Sequence, residues 1–324
     1  MTEGPGKALI IKAKGGLGNR MLSAITGIVL ARLNKRAPYI DWRDGMYVEA
    51  GENLYPLLFD ASEMGDLSVF DDAIDVAPAL WSGRMTEQPV DVIRREFPNQ
   101  HQDPLLYRKL SIDLTGEDPD ERVGVFWSYL PKLERLKRRM KSLPQFAGKS
   151  LSEVTSELLA QHFRPVAKVN EQVDAIFADQ SAPVIGVHIR FTDRKVPLAK
   201  IISALEQLAQ REAEARIFLA TDSAEAQSAI LERFPHVMTI EKSLAHDSTA
   251  LHFSSEGFSD PVVEAHNALI DMVALSRCDW LLHSRHSTFS VTAALMGRIP
   301  QKRQVDIDRY NLKVVAKQFV QARL

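Results

Sequence analysis

Arg190 closes the apolar run Val184-Ile185-Gly186-Val187-His188-Ile189 and is followed by Phe191-Thr192-Asp193-Arg194-Lys195. A β-branched run of this kind reads as a buried parallel strand. Its carboxyl end would carry ionisable groups into a crevice, where open α/β sheets bind ligands. A guanidinium fixed there can grip a phosphate through two parallel, charge-assisted hydrogen bonds; the alternative is a strand-end ion pair between Arg190 and Asp193. A second strand, Arg216 to Thr221, ends in Asp222-Ser223. Those two side chains can accept hydrogen bonds from a base or ribose, or cap the Ala/Glu-rich helix that follows, which is the commoner use of such a run. A third strand, Trp280 to His283, follows the amphipathic helix Asn267 to Cys278 and leads through Ser287-Thr288-Phe289-Ser290 into the helix Val291 to Met296. Hydroxyls and backbone N–H groups at that helix start, with the positive end of its dipole, would make an anion site.

These groups need elements to hold them, and the first half of the chain begins as a βαβ unit. Ala8 to Lys12 is apolar enough for a strand, Gly15-Gly16-Leu17-Gly18-Asn19 turns the chain, Arg20 to Leu33 has helical spacing, and Pro38 to Trp42 makes the next strand. Glycines there would let a phosphate or sugar approach the backbone. Gly16-x-Gly18 with Asp41 also imitates a dinucleotide-binding fingerprint, so a nicotinamide-dependent oxidoreductase is a rival reading. Met21 occupies the third glycine position and argues against it, and Gly148-Lys149-Ser150 lacks the leading glycine of a Walker loop, with Leu143 in its place. From Arg43 to Pro144, Asn53 to Asp60, Val90 to Phe97 and Val123 to Tyr129 read as short elements between acidic, proline-containing loops. Trp42, Tyr47, Trp81, Phe126, Trp127 and Tyr129 can be sugar-stacking platforms or core residues, the second being the commoner role. Arg135 to Lys141 reads as a solvated basic face, Leu151 to Ala178 as helix broken near Pro165, and Leu312 to Leu324 as a closing helix.

Composition narrows the classes. A chain of 324 residues can bury a large core and build two domains. A net charge of −2 offers no global attraction to nucleic acid or an anionic membrane. One cysteine, Cys278, rules out an internal disulfide. No apolar run reaches the roughly 18–20 residues that span a bilayer, and the first residues lack a signal-peptide core, so a cytoplasmic protein without a transmembrane segment is expected. Metal chemistry finds little support. His246, His252 and His266 lack ligand spacing, His283 and His286 fall at a strand end, and Asp306-Ile307-Asp308, placed after the nucleotide domain, reads as structural or surface.

Together the segments resemble the fucosyltransferase superfamily, closest to the group of the rhizobial nodulation fucosyltransferase and the animal core α-1,6-fucosyltransferase. The animal H-x-R-R-T-D-K signature is similar to His188 to Arg194, A-T-D to Ala220-Thr221-Asp222, and the helix-strand-serine element to Asp271 to Asp279 with Ser287 to Ser290. Gly15 to Arg20 resembles the G-G-L-G-N-Q loop of bacterial α-1,2-fucosyltransferases, and Tyr39-Ile40-Asp41-Trp42-Arg43 resembles the nodulation enzyme. The resemblance implies an α/β, GT-B-like fold with two Rossmann-type domains facing across a cleft. Residues 1–165 would form an amino-terminal acceptor-side domain and 166–324 a nucleotide-sugar domain, the last helix returning to the first.

It also implies an inverting, metal-independent transfer of fucose from GDP-fucose to a glycan hydroxyl, with no cofactor and no nucleic-acid partner. Arg190 would bind the β-phosphate. His188 and Asp222, with Ser223, would meet guanine or ribose, and Ser287, Thr288, Phe289 and Ser290 the pyrophosphate side. Asn19, Gly16 and Gly18 would face the donor from the first domain. Phe191 replaces the second arginine of the animal signature, and the glutamate that follows there is missing. Asp193, Asp260 and Glu264 are therefore the candidate bases. Another GDP-sugar, an inactive GDP-sugar- or glycan-binding relative, the acceptor and the oligomeric state stay open.

Overall fold

The computed structural model describes the chain except at residues 1–5, 50, 101–102, 179–180, 191–196, 243, 245–259, 309–315 and 317–324. The described chain divides into two compact units, the first running to Arg164 and the second beginning at Pro165. The polypeptide crosses there between two helices, where Pro165 removes a backbone donor.

Unit 1 holds β1 (Ala8–Lys12), α1 (Leu17–Leu33), β2 (Ala37–Asp41), α2 (Leu54–Leu58), β3 (Val76–Ala77), α3 (Pro89–Glu96), α4 (Tyr107–Leu110), β4 (Val123–Trp127), α5 (Leu133–Met140) and α6 (Leu151–His162). Its parallel sheet has the order β2-β1-β4-β3. Strands β1 and β4 are buried along their whole length, which explains why their sequences are continuous apolar runs rather than alternating ones. Helix α1 lies on the sheet through Gly27, where a Cβ would sit 2.8 Å from Ile11 and 2.9 Å from Phe126. That close approach does what the third glycine of a dinucleotide fingerprint does, but six residues later than Met21. Trp42, Trp81, Phe126 and Trp127 are buried core side chains, so the sugar-platform reading fails for these four. Trp42 packs among Tyr55, Phe59 and Phe163. Basic α5 buries Leu133, Leu136 and Met140 and is amphipathic. Ser150 forms a capping box with Glu153 at the start of α6, and Lys149 pairs with Glu157, so Gly148-Lys149-Ser150 is a helix start.

Unit 2 holds α7 (Ala167–Ile176), β5 (Val184–Ile189), α8 (Leu198–Arg211), β6 (Arg216–Thr221), α9 (Ala224–Arg233), β7 (Val237–Met238), α10 (Pro261–Ser276), β8 (Trp280–His283), α11 (Thr288–Met296) and β9 (Gln304–Asp306). The sheet is parallel with the order β7-β6-β5-β8-β9. Counted within the unit this is 3-2-1-4-5, the order of a mononucleotide-binding Rossmann half with its neighbouring strands. One face packs Ile185, Val187, Ile189 and Leu219 against Ile201, Leu205 and Leu208 of α8 and Ile230 of α9. On another side Gly186 brings the sheet to the end of α10, since a Cβ there would lie 2.9 Å from Cys278 Sγ. Asp306-Ile307-Asp308 belongs to this sheet rather than following it. Asp306 accepts from the backbone of Arg285 and Asp308, and Asp308 accepts from Ser284 Oγ, so the segment ties β9 to the turn after β8. Of the closing helix expected over 312–324 only Ala316 is among the described residues, and it is helical.

Candidate functional site

In each unit the strand order reverses direction beside the unit's first strand. In unit 2 the reversal lies between β5 and β8, the topological switch point where open sheets bind ligands beyond the strand carboxyl ends. His188 occupies the penultimate position of β5 and is 8% exposed, with its ring stacked on Phe289 at 5.1 Å and an interplanar angle of 22°. Burial, then the nearby His283, Arg190 and Lys242, lowers its pKa to about 3, so the imidazole is neutral at physiological pH. Its Nδ1 is buried without a hydrogen-bond partner. Arg190 follows directly after β5 and is half-buried.

The turn after β8 supplies the other wall. Ser287 is the N-cap of α11, yet its hydroxyl caps nothing and is buried without a partner. Thr288 and Phe289 begin the first turn, whose backbone N–H groups have no intrahelical acceptor and receive no side-chain cap. Ser290 departs from the expectation. It is fully buried, 3.0 Å from His283 Nδ1 and in contact with the carbonyls of Ser284 and Ser287, so it holds the turn rather than facing a donor. Behind the site a buried ion pair joins Lys242 to Asp271 of α10, and burial pushes the Asp271 carboxyl up. Nothing in sequence spacing singles out Lys242.

Asp222 sits half-buried at the end of β6. Ser223 takes the capping alternative, accepting from Ala226 N at 3.3 Å at the start of α9. Asp260 is likewise an N-cap, accepting from Val262 N and Val263 N, and Glu264 lies one turn into the same helix. Asp193, His246 and His252 lie outside the described residues. Among the described residues no group of three His, Cys, Asp or Glu has the arrangement to hold a metal ion.

Unit 1 switches between β1 and β4. The loop leaving β1 contains Gly15 at φ +87°, a left-handed conformation, and a Cβ there would meet the Tyr129 ring at 2.7 Å. Gly15, rather than Gly16 or Gly18, is therefore the position that must be glycine. Gly16 caps α1 without a side-chain bond and has open space where a Cβ would stand, while Gly18 is buried in the first turn. Asn19 is half-buried, with Oδ1 lacking a partner. Tyr129, 45% exposed, is the aromatic that stays available at this loop.

Arg20, which reads in sequence only as the last residue of the loop, anchors it. The guanidinium is fully buried, donating to Gly15 O at 2.6 Å and to Asp44 at 2.6 Å, and lies over Trp42 and Tyr47. Asp41, the acid of the imitated dinucleotide fingerprint, is 1% exposed at its side chain and paired with Lys12 at 2.7 Å and Arg43 at 3.0 Å. Those cations hold its carboxyl below the usual range despite burial. A carboxylate so occupied has no lone pairs to offer a ribose, which removes the structural basis of the oxidoreductase reading.

Comparison with known proteins gives a family and a fold. A profile of the nodulation protein Z (NodZ) family matches residues 151–319, just over half of the chain. Nodulation protein Z of Bradyrhizobium diazoefficiens is 24% identical over 299 residues, 85% of this chain and 74% of that protein. Its counterpart in Azorhizobium caulinodans is 25% identical over 309 residues, 86% and 85% of the two. Among solved structures, the NodZ α-1,6-fucosyltransferase soaked with GDP-fucose superposes with a TM-score of 0.63 at 21% identity, covering 90% of this chain and 92% of that one. An Arabidopsis thaliana FUT1 variant in complex with GDP gives 0.53 at 16% identity, covering 94% and 73%. At such identities these likenesses establish the GT-B type of α/β fold. With the sequence profile spanning the Rossmann half, the chain belongs to the nodulation protein Z family.

Proposed function

We propose that this protein is a glycosyltransferase that moves fucose from GDP-fucose to a hydroxyl of a glycan or oligosaccharide. The carrying observation is the pair of buried, unpartnered polar atoms, His188 Nδ1 and Ser287 Oγ, beside Arg190 and the open start of α11. An unsatisfied buried polar atom costs about 1–3 kcal/mol, which a ligand able to bond it returns. Family membership supports GDP-fucose as that ligand, and the NodZ relative's α-1,6 activity supports an α-1,6 linkage.

In this reading the acceptor oxygen attacks the anomeric carbon of fucose while the bond from that carbon to the β-phosphate oxygen breaks, with inversion. Negative charge grows on the departing GDP. Arg190 and the α11 N-terminus neutralise it, and no metal or other cofactor takes part in the proposed step. Neutral His188, stacked on Phe289, offers one donor and one acceptor nitrogen to the base or ribose, and Asp222, directly after the neighbouring strand β6, offers a carboxylate. The proton of the acceptor hydroxyl goes to a carboxylate, for which Asp193, Asp260 and Glu264 are the candidates; Asp260 would have to serve while capping α10. The test is transfer of labelled fucose from GDP-fucose to chitooligosaccharides and N-glycan cores. Activity in the wild type that disappears in a folded Arg190→Ala variant is expected. Full activity in that variant would overturn the assignment.

A further inference from the structure

Along the outer edge of β2 in unit 1 lies a cavity of about 230 Å³ that the donor reading does not use. It is lined by β2 from Ala37 to Ile40, by the 60–65 turn and by the end of α6, away from the Gly15–Gly16 turn that follows β1. The volume is below the roughly 300–1,000 Å³ of sites for drug-sized ligands, so it suits a single ring. Tyr39 and Met64 supply an apolar surface, while Glu63, Gln161 and His162 supply polar groups.

The polar groups are preset. Arg32 Nη2 donates to Gln161 Oε1 at 2.7 Å and lies 3.1 Å from His162 Nε2. Arginine can only donate, so His162 Nε2 is an acceptor and the ring proton resides on Nδ1. Burial and the neighbouring Arg32 and Arg164 lower the His162 pKa to about 4, which keeps that tautomer neutral. Arg32 takes one lone pair of Gln161 Oε1, and the NH₂ group remains a donor. Tyr55 Oη donates to His162 O at 2.5 Å and fixes the end of α6 to the wall. The lining thus combines two donor groups, the Gln161 amide and the neutral His162 ring, with the Glu63 carboxylate as acceptor. The Tyr39 hydroxyl can do both. Vicinal hydroxyls around an apolar ring need that combination of donors, acceptors and a flat contact.

We infer that this cavity is a binding site for one neutral pyranose, separate from the donor site. The inference does not depend on the GDP-fucose reading. Its test is saturation-transfer NMR of the full chain with glucose, mannose, fucose and N-acetylglucosamine, with and without GDP. A parallel GDP titration reports the donor site, so the two readings can fail separately. For a ligand of this size, saturable binding of one of the sugars at a dissociation constant on the order of 1 mM is expected. It should be indifferent to GDP and weakened about tenfold by Glu63→Ala/Gln161→Ala, with GDP binding unchanged. Both side chains are exposed, so the variant should fold, and Tyr39→Phe gives an independent check. Absence of saturable binding to about 50 mM, displacement by GDP, or undiminished binding in the double variant would each overturn it.

Discussion

Replacing Arg20 with methionine tests whether the glycine loop is held by a buried charge. The substitution keeps much of the apolar stem but removes the bonds to Gly15 O and Asp44, both 2.6 Å, and the contacts with Trp42 and Tyr47. Asp44 would remain as a carboxylate 8% exposed with its second oxygen already unpartnered. Breaking one side of a buried pair costs about 3–5 kcal/mol, mostly from the stranded charge. With a urea m-value of about 2 kcal/mol/M, the midpoint should fall by about 1.5–2.5 M. Adding Asp44→Asn removes the stranded charge, so the double variant should be less destabilised than the sum of the singles by about 2 kcal/mol or more. Three of the four tryptophans, Trp42, Trp81 and Trp127, lie in unit 1, so fluorescence in a Trp280→Phe background reports that unit. A midpoint shift of Arg20→Met under about 0.5 M, or simple additivity in the double variant, would refute the anchor.

Other perturbations have equally definite outcomes. His188 and His283 have pKa values lowered to about 3 and about 4 in the fold, against about 6.5 unfolded. Their stabilising contribution is therefore complete above pH 6.5 and lost as pH falls toward those folded values. At pH 5 the two together should remove about 4 kcal/mol relative to pH 7, opposed in part by Asp271, whose raised carboxyl pKa acts in the other direction. Pulse proteolysis of unit 2 in urea at the two pH values measures it, and equal stability would contradict the assignment. Gly297→Ala would place a methyl 1.9 Å from Ser276 O, a backbone atom, and should destabilise unit 2 by about 3 kcal/mol or more in the same assay. Arg190→Lys keeps the charge but loses the fork, so donor binding should weaken at least about tenfold by calorimetry.

The parallel strands were the most legible part of the chain. Runs such as Ala8–Lys12, Val184–Ile189 and Trp280–His283 are buried and bounded by polar turns, so hydrophobicity alone marks them. Helix starts were less so. Glycines hide the beginning of α1 at Leu17, and Thr288-Phe289-Ser290 conceals that of α11 behind a polar run. The start of α10 at Pro261 was readable from Asp260-Pro261, an N-cap acid before proline at the first helical position, although apolar periodicity alone begins at Asn267. The places of His188 and Arg190 were legible because an apolar strand runs straight into them, and that of Ser287 because it precedes an apolar helical run. The role of Arg20 was not legible, because its burial depends on Asp44, Trp42 and Tyr47, partners that no local pattern pairs with it. The same holds for Asp41, whose apparent ligand role disappears only when Lys12 and Arg43 are seen on it.

The central claim is a GDP-recognising site at the β5–β8 switch point. Calorimetric titration of the wild type and Arg190→Ala with GDP, GDP-fucose, UDP, ADP and NAD, each with and without EDTA, tests it most directly. Selective binding of GDP and GDP-fucose that survives EDTA and collapses in Arg190→Ala is the predicted result. Absence of GDP binding, or binding of NAD alone, would contradict it.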